Sequence, residues 1–155
     1  MHFLLMGRGL ELPDHPLRAR ANALGLRDRI TFAGERPHPQ NWMGAMDVVV
    51  SSSFAEGFPN VIAEAMACGI PCVATDVGDS RNIVGDAGRI VPSRDAEALG
   101  AAMVALVSLP AGERADLAVA ARGRVIEKFS LDPMAAAYAA IYEPRAPEGL
   151  ISMRD

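Results

Sequence analysis

Lysine is almost absent from this sequence. Lys128 is the only lysine among fifteen basic residues, and the others are all arginines. Acidic residues outnumber basic ones by 19 to 15, which gives a formal net charge of −4 at pH 7. Domains that bind nucleic acid usually present an excess of positive charge. The charge balance therefore argues against a general nucleic-acid-binding protein, and we expect no nucleic-acid partner.

Cysteine and histidine are also scarce. The two cysteines, Cys68 and Cys72, are spaced too widely for a C-x-x-C motif and have no histidine near them. We expect both to be small buried thiols in a reducing compartment. The three histidines, His2, His15 and His38, are scattered and do not form a set of metal ligands.

The sequence also lacks a long apolar run. A membrane-spanning helix needs about 20 predominantly apolar residues, and no segment approaches that length. The short apolar start reaches Gly7 too soon for a signal peptide and lacks a charged leader. These absences predict a soluble, cytoplasmic protein, and 155 residues suit one domain of ordinary size.

What the sequence does contain is a regular alternation of short apolar segments and helical patterns. Buried strands are predicted at His2–Met6, Ile30–Ala33, Asp47–Val50, Pro71–Thr75 and Gly88–Val91. Helices are predicted at Asp14–Leu24, Asn41–Met46, Pro59–Cys68, Arg81–Gly85, Asp95–Leu109, Ala111–Phe129 and from Ser130 to near Pro144. The alternation predicts an α/β fold, a Rossmann-like parallel sheet with helices on both faces. The three consecutive valines before Ser51 are typical of a central strand.

Ligands of such sheets bind at the carboxyl ends of the strands, which draws attention to Phe54–Glu64. Pro59 suits the first position of a helix, so Phe58 becomes the N-cap, although its side chain offers no acceptor. The N–H groups of Asn60, Val61 and the next residue then lack a local partner. An anion would satisfy them, and Gly57 would let the backbone approach it closely. Water, an upstream serine or Glu56 could satisfy them instead.

Two carboxylates flank this helix start. Glu64 lies about 7 Å along the helix axis from Pro59, at 1.5 Å per residue, and a carboxylate can accept hydrogen bonds from both hydroxyls of a ribose. Glu56 precedes the helix and could face the other end of the same ligand. Two glutamates near a helix start can also be a solvated surface.

Residues 3 to 142 resemble the C-terminal, nucleotide-sugar-binding domain of retaining GT-B glycosyltransferases of the glycosyltransferase group 1 type. The resemblance rests on Asp47–Ser53, Glu56–Asn60, Glu64–Gly78, Gly88–Pro92, Ala120–Arg122 and Tyr138–Tyr142. It implies the C-terminal half of a GT-B fold whose first strand–helix unit is missing, and transfer of a sugar from a nucleoside diphosphate donor to an acceptor hydroxyl with retained configuration.

The resemblance also implies roles for individual residues. Glu56 would be the catalytic residue beside the donor sugar, and Glu64 would bind the ribose. The sugar and the distal phosphate would lie against the backbone of the turn formed by Gly57, Phe58, Pro59, Asn60 and Val61. Gly7 and Arg8 would border the nucleotide, and the segment from Ala33 through Gly34 to Arg36 would hold the base edge.

Few cationic side chains are left in the predicted loops to neutralise the diphosphate. The Gly-Arg loop and the lysine that clamp the diphosphate in the family would precede Met1, and the loop cations that remain are Arg8, Arg36 and Arg81. Arg36 is favoured by position, and an ordinary surface arginine is the alternative for each. The family's second Gly and its Glu after Gly78 are replaced by Asp79 and Asn82, in a loop that we expect to lie apart from the nucleotide contacts.

Further expectations follow from the resemblance. The donor is a UDP- or GDP-linked sugar, with no cofactor and no metal, because the sequence contains no Asp-x-Asp pair. Residues 1–143 would form the partial domain and residues 144–155 a flexible tail. The acceptor domain would be missing, and the apolar face of the last helix, with Met134, Ala137, Tyr138 and Ile141, would be exposed or pair with a second copy. The full enzyme would act in polysaccharide biosynthesis in the cytoplasm, with the inner face of the membrane as one location open to it.

Two other functions remain to be weighed. The chain could be a nucleotide-binding module without turnover, and an assay of donor hydrolysis and transfer would separate that function from an enzyme. It could also be an unrelated doubly wound domain, such as a fragment of a nucleotide-sugar epimerase. The latter would carry G-x-G-x-x-G after its first strand, and the segment Gly7–Leu12 does not supply it.

Overall fold

A computed structural model describes residues 1–142 of the chain. The residues form two compact units that meet in sequence between Trp42 and Met43. The first unit contains β1 (Phe3–Met6), α1 (Pro16–Ala23), a 3₁₀ turn (Arg27–Arg29) and β2 (Ile30–Gly34), and it ends within α2 (Gln40–Met43). The predicted tail, residues 144–155, lies outside the described residues.

The second unit carries the remaining elements. They are β3 (Val49–Ser51), α3 (Asn60–Ala67), β4 (Cys72–Thr75), α4 (Ser80–Val84), β5 (Gly88–Val91), α5 (Ala96–Val107), α6 (Ala111–Phe129) and α7 (Leu131–Tyr142). The predicted bounds of β5 and α6 are confirmed, and the other predicted strands and helices are found with their described ends shifted by one to three residues. The predicted end of the last helix, near Pro144, lies outside the described residues.

All strand pairs are parallel, as the alternating pattern predicted. In the first unit β1 pairs with β2, with an irregularity between Leu5 and Met6. In the second unit the order is β3-β4-β5. The hydrogen bonds thus divide the strands into two sheets rather than the one that we predicted. The prediction of a central position for the valine strand is also wrong, because β3 lies at one end of its sheet and Val49 and Val50 are only half-buried.

The core of the second unit is built around β4, whose four residues are all buried. Cys72 and Ala74 belong to a cluster that includes Ile62 and Met66 of α3, Ile83 and Val84 of α4, and Ala121 and Val125 of α6. Alternate side chains of a strand point to opposite faces, so Val73 faces away from this cluster, towards the side where α5 packs on β4 and β5. Helices therefore cover both faces, and the β3–α3 connection leaves from the carboxyl end of the sheet.

Candidate functional site

Helix α3 begins one residue later than predicted. Pro59 is the N-cap, with φ −74° and ψ 88°, and Asn60 is the first helical residue. The prediction that Phe58 is the N-cap is therefore wrong, but the predicted lack of a side-chain cap is confirmed. The N–H of Ile62 donates to the carbonyl oxygen of Pro59 over 3.0 Å, so this group is satisfied within the turn rather than left for a ligand.

The first two N–H groups of the helix remain. Within residues 1–142 the backbone N–H groups of Asn60 and Val61 have no hydrogen-bond partner, and both residues are exposed. Glu64 lies one turn further along α3 and is also exposed, with no ion pair in the described part of the chain. The structure thus brings two bare amides and a carboxylate together at the start of one helix, where the dipole favours an anion.

Glu56 is held in place by a serine that the sequence did not single out. The hydroxyl of Ser53 donates to Oε1 of Glu56 over 2.7 Å. The hydroxyl of Thr75, at the end of β4, donates in turn to the carbonyl oxygen of Ser53 over 2.5 Å and to that of Ser51 over 3.4 Å. This chain of hydrogen bonds joins the carboxylate to the buried central strand. The spacing of a hydroxyl three residues before Glu56 was the available signal for Ser53.

The loop after β4 supports the same turn from another side. The backbone N–H of Asp79 donates to the carbonyl oxygen of Gly57 over 2.9 Å. Gly78 has a φ of +51°, and a Cβ placed there would lie 2.3 Å from the carbonyl oxygens of both Glu56 and Gly57. This loop therefore packs directly on the predicted donor-binding turn, and its expected distance from the nucleotide contacts stays a prediction.

A contact between two aromatic rings also supports the turn before α3. The rings of Phe58 and Phe129 meet edge to face, with centroids 5.7 Å apart and planes at 62°. Phe129 is the last residue of α6 and also packs against the core cluster of the second unit. No local sequence signal connects two phenylalanines so far apart in the chain.

The predicted site residues of the first unit lie around the ends of β1 and β2. The N–H of Gly7 donates to the carbonyl oxygen of Gly34 over 3.0 Å, which brings these two predicted residues together. Gly34 has a φ of +71°, and a Cβ there would lie 2.7 Å from Oε2 of Glu11. The predicted contacts of both glycines with a nucleotide stay predictions.

The three arginines considered for phosphate are each engaged with another side chain. Nε of Arg8 lies 3.4 Å from Oε2 of Glu35, and both side chains are exposed. The Arg36 guanidinium lies over the ring of Trp42, 5.8 Å from its centroid. In the second unit, Arg81 forms a forked salt bridge with Asp76, with a shortest contact of 2.5 Å, and its hydrogen bonds lower the pKa of the Asp76 carboxyl.

The cysteines differ from each other. Cys72 is buried, and burial raises the pKa of its thiol to about 12. Cys68, which we also predicted to be buried, is exposed because it is the C-cap of α3 rather than a residue of its inner face.

Within residues 1–142 no three His, Cys, Asp or Glu side chains are grouped so that they could hold a metal ion. No single helix in that range has the length and apolarity to cross a membrane. Helix α5 and the segment Ala111–Tyr142 are long and apolar enough to cross a membrane only when they are taken together, and the two are bent by 110° relative to each other.

Comparison with known proteins decides the family. A sequence model described as glycosyl transferases group 1 matches residues 1–108. This chain belongs to the glycosyl transferases group 1 family. The lipopolysaccharide core biosynthesis mannosyltransferase LpsB of Rhizobium meliloti is 36% identical over 137 residues, covering 84% of this chain and 38% of that protein. The D-inositol 3-phosphate glycosyltransferase of Xylanimonas cellulosilytica is 39% identical over 130 residues, covering 81% and 31%.

Solved structures of glycosyltransferases share the fold. HepE of Anabaena in complex with UDP has a TM-score of 0.79 and 25% identity, over 91% of this chain and 41% of HepE. Sucrose-phosphate synthase of Thermosynechococcus elongatus has a TM-score of 0.72 and 34% identity, over 90% and 37%. The predicted α/β, Rossmann-like fold of GT-B glycosyltransferases is confirmed. This chain spans less than two fifths of the length of the two relatives named above.

Proposed function

We propose that this chain is the donor-binding, C-terminal domain of a retaining GT-B glycosyltransferase and binds the nucleoside diphosphate of a UDP- or GDP-linked sugar. The observation that carries the proposal is the start of α3. There, two amides that have no hydrogen-bond partner among residues 1–142 lie in the chain between a carboxylate fixed by Ser53 and a second carboxylate one turn into the helix. HepE, a structural neighbour, was solved with UDP and with UDP-glucose, which supports this class of ligand.

The geometry suggests a division of roles. The amides of Asn60 and Val61 face the region where a helix dipole stabilises negative charge, so they would hold the distal phosphate of the donor. Glu64 would accept the ribose hydroxyls. Glu56 would lie beside the sugar, and its fixed orientation means that little reorganisation is needed when the bond to the diphosphate breaks.

The catalytic contribution of this domain is electrostatic. When the glycosidic bond to the donor phosphate breaks, negative charge grows on the leaving diphosphate. Fixed amides and a helix dipole that already point at this charge stabilise the transition state more than the ground state. The chain's own residues could supply this effect without a metal ion, and the attacking hydroxyl would belong to the acceptor substrate.

Isothermal titration of the 155-residue chain with UDP and with GDP tests the proposal. We expect one of them to bind, and Glu64→Ala to weaken it by about 1–3 kcal/mol, because the ribose hydroxyls lose their acceptor. Glu127→Ala, an exposed glutamate on α6, is the control and should bind like the parent. Failure of both nucleotides to bind the parent, or an unchanged affinity in Glu64→Ala, would contradict the proposal.

A nucleotide-binding module without turnover is the second candidate. It is favoured by the groups at the start of α3, because all of them are assigned to the donor and none to an acceptor. Assays of donor hydrolysis and sugar transfer, run on the same sample that is used for titration, separate the two functions. Binding with no turnover in either assay identifies the module.

A further inference from the structure

The contact between Phe58 and Phe129 links the proposed donor-binding turn to the end of a distant helix. Phe129 is partly buried against the core cluster, whereas Phe58 is 40% exposed at the edge of the turn. Phe129 is therefore anchored against the core, and the ring of Phe58 rests against it. Edge-to-face geometry at 5.7 Å is a favourable arrangement for two aromatic rings.

The turn needs such an anchor because its other restraints act elsewhere. Asp79 holds Gly57 through its backbone N–H, and Ser53 holds the side chain of Glu56. Neither restrains Phe58, the residue directly before the N-cap Pro59, and α3 has no side-chain cap to fix its entry. The contact of the Phe58 ring is thus one restraint on the backbone that enters α3, beside the burial of Pro59.

We infer that Phe129 is a positioning residue for donor binding: its ring fixes Phe58 and, through it, the amides at the start of α3. The inference rests on the proposed function and extends it to a residue that would not touch the donor. It predicts that the end of α6 sets the affinity for the nucleotide, although α6 contributes no ligand to it.

A double-mutant cycle on nucleotide affinity tests the inference. Phe129→Leu and Phe58→Leu should each weaken binding of UDP or GDP by about 3–10-fold, because each removes the same aromatic contact. The double variant should be little weaker than either single one. Phe129→Tyr keeps the ring and should bind within about twofold of the parent. Ile126→Ala, an exposed residue one turn earlier on α6, is the matched control and should not change the affinity.

Amide hydrogen exchange provides a readout that does not depend on the ligand. In Phe129→Leu, the amide of Ile62, which bonds to Pro59, should exchange faster, and core amides of β4 should not change. The role of Phe129 is overturned if the affinity losses of the two single variants multiply in the double variant. It is also overturned if the amide of Ile62 exchanges in Phe129→Leu at the rate of the parent. If the parent binds neither nucleotide, the proposed function fails, whereas the exchange result still decides whether Phe129 positions the turn.

Discussion

Gly78 lies against the backbone of Glu56 so closely that a Cβ on Gly78 would stand 2.3 Å from the carbonyl oxygen of Glu56. Real Cβ atoms do not approach an oxygen to that distance, so the two segments can pack only because residue 78 is glycine. Its φ of +51° is a second reason, because side chains disfavour that conformation. A glycine in one loop therefore permits the close approach of the backbone that carries Glu56 in the other loop.

Replacement of this glycine should damage both the fold and the site. Gly78→Ala should lower the free energy of unfolding by at least about 1–2 kcal/mol from the left-handed backbone alone, and should weaken nucleotide binding because the turn at Gly57 must move. Chemical denaturation and titration with UDP or GDP measure the two effects. Gly123→Ala, in α6 with open space around it, should instead stabilise the chain by about 0.5–1 kcal/mol. A Gly78→Ala variant as stable as the parent would contradict the packing argument.

Ser53 should affect the sugar end of the donor more than the nucleotide. Its hydroxyl orients Glu56, so Ser53→Ala should reduce the affinity for UDP-glucose or GDP-mannose about 3–10-fold, the loss of one hydrogen bond to a charged group at a partly exposed site. Affinity for free UDP or GDP should be nearly unchanged. Ser53→Thr keeps the hydroxyl and should retain binding. Ser52→Ala, the exposed neighbour, is the control, and equal effects of Ser52→Ala and Ser53→Ala would refute the role of the hydroxyl.

The N-caps of two helices in the second unit should respond differently to the same substitution. The carboxylate of Asp95 accepts from the N–H of Ala98 over 2.8 Å at the start of α5, whereas Asp79 makes no side-chain cap bond at the start of α4. Asp95→Ala should cost about 1 kcal/mol of stability, and Asp79→Ala should change it by no more than about 0.5 kcal/mol. Thermal or urea denaturation of the two variants measures both values. Equal losses of stability in the two variants would contradict the conclusion that Asp95 caps its helix and Asp79 does not.

The buried thiol of Cys72 should make the fold sensitive to alkaline pH. Burial raises the pKa of this thiol from 9.0 to about 12. The unfolded chain therefore loses this proton at a lower pH than the folded chain. The contribution of the Cys72 thiol to the free energy of unfolding is constant below pH 9. It declines between pH 9 and about 12, with a slope of up to about 1.4 kcal/mol per pH unit.

Cys72→Ala isolates this contribution. Its free energy of unfolding should be lower than that of the parent at neutral pH, because a buried atom is lost, but it should fall less steeply above pH 9. Cys68→Ala removes the exposed thiol and should keep the steeper slope of the parent. Identical slopes in Cys72→Ala and the parent would contradict the burial argument.

Much of the fold could be predicted because the signals for it are local. The bounds of β5 and α6 follow from a short apolar run closed by Pro92 and from a long helical pattern between Pro110 and Ser130. The β3–α3 turn was identified as the candidate site from an uncapped helix start and two glutamates. The predicted N-cap is misplaced by one residue, because the ψ of 88° at Pro59 is not helical and the helix therefore begins one position later than the preference of proline for the first turn suggests.

The supports of the site could not be predicted, because each of them is a contact between distant segments. Thr75 reaches Ser53 across the sheet, Gly78 packs on Glu56, and Phe129 meets Phe58 from the end of α6. None of these pairs has a periodicity or a spacing that a single sequence displays. The same limit explains why a valine run suggested a central strand, whereas hydrogen-bond pairing put β3 at an end of its sheet.

The absent cap on α3 has a thermodynamic consequence. A helix that leaves its first amides without a side-chain acceptor forgoes the stabilisation, typically about 1 kcal/mol, that Ser, Thr, Asp or Asn would provide at this position. On the proposed function, the donor completes the helix, so the melting temperature should rise with nucleotide concentration. At 100 times the dissociation constant the ligand adds about 2.7 kcal/mol to the free energy of unfolding. Occupancy by substrate would then protect the folded chain from unfolding and proteolysis, which couples its lifetime to the supply of its donor.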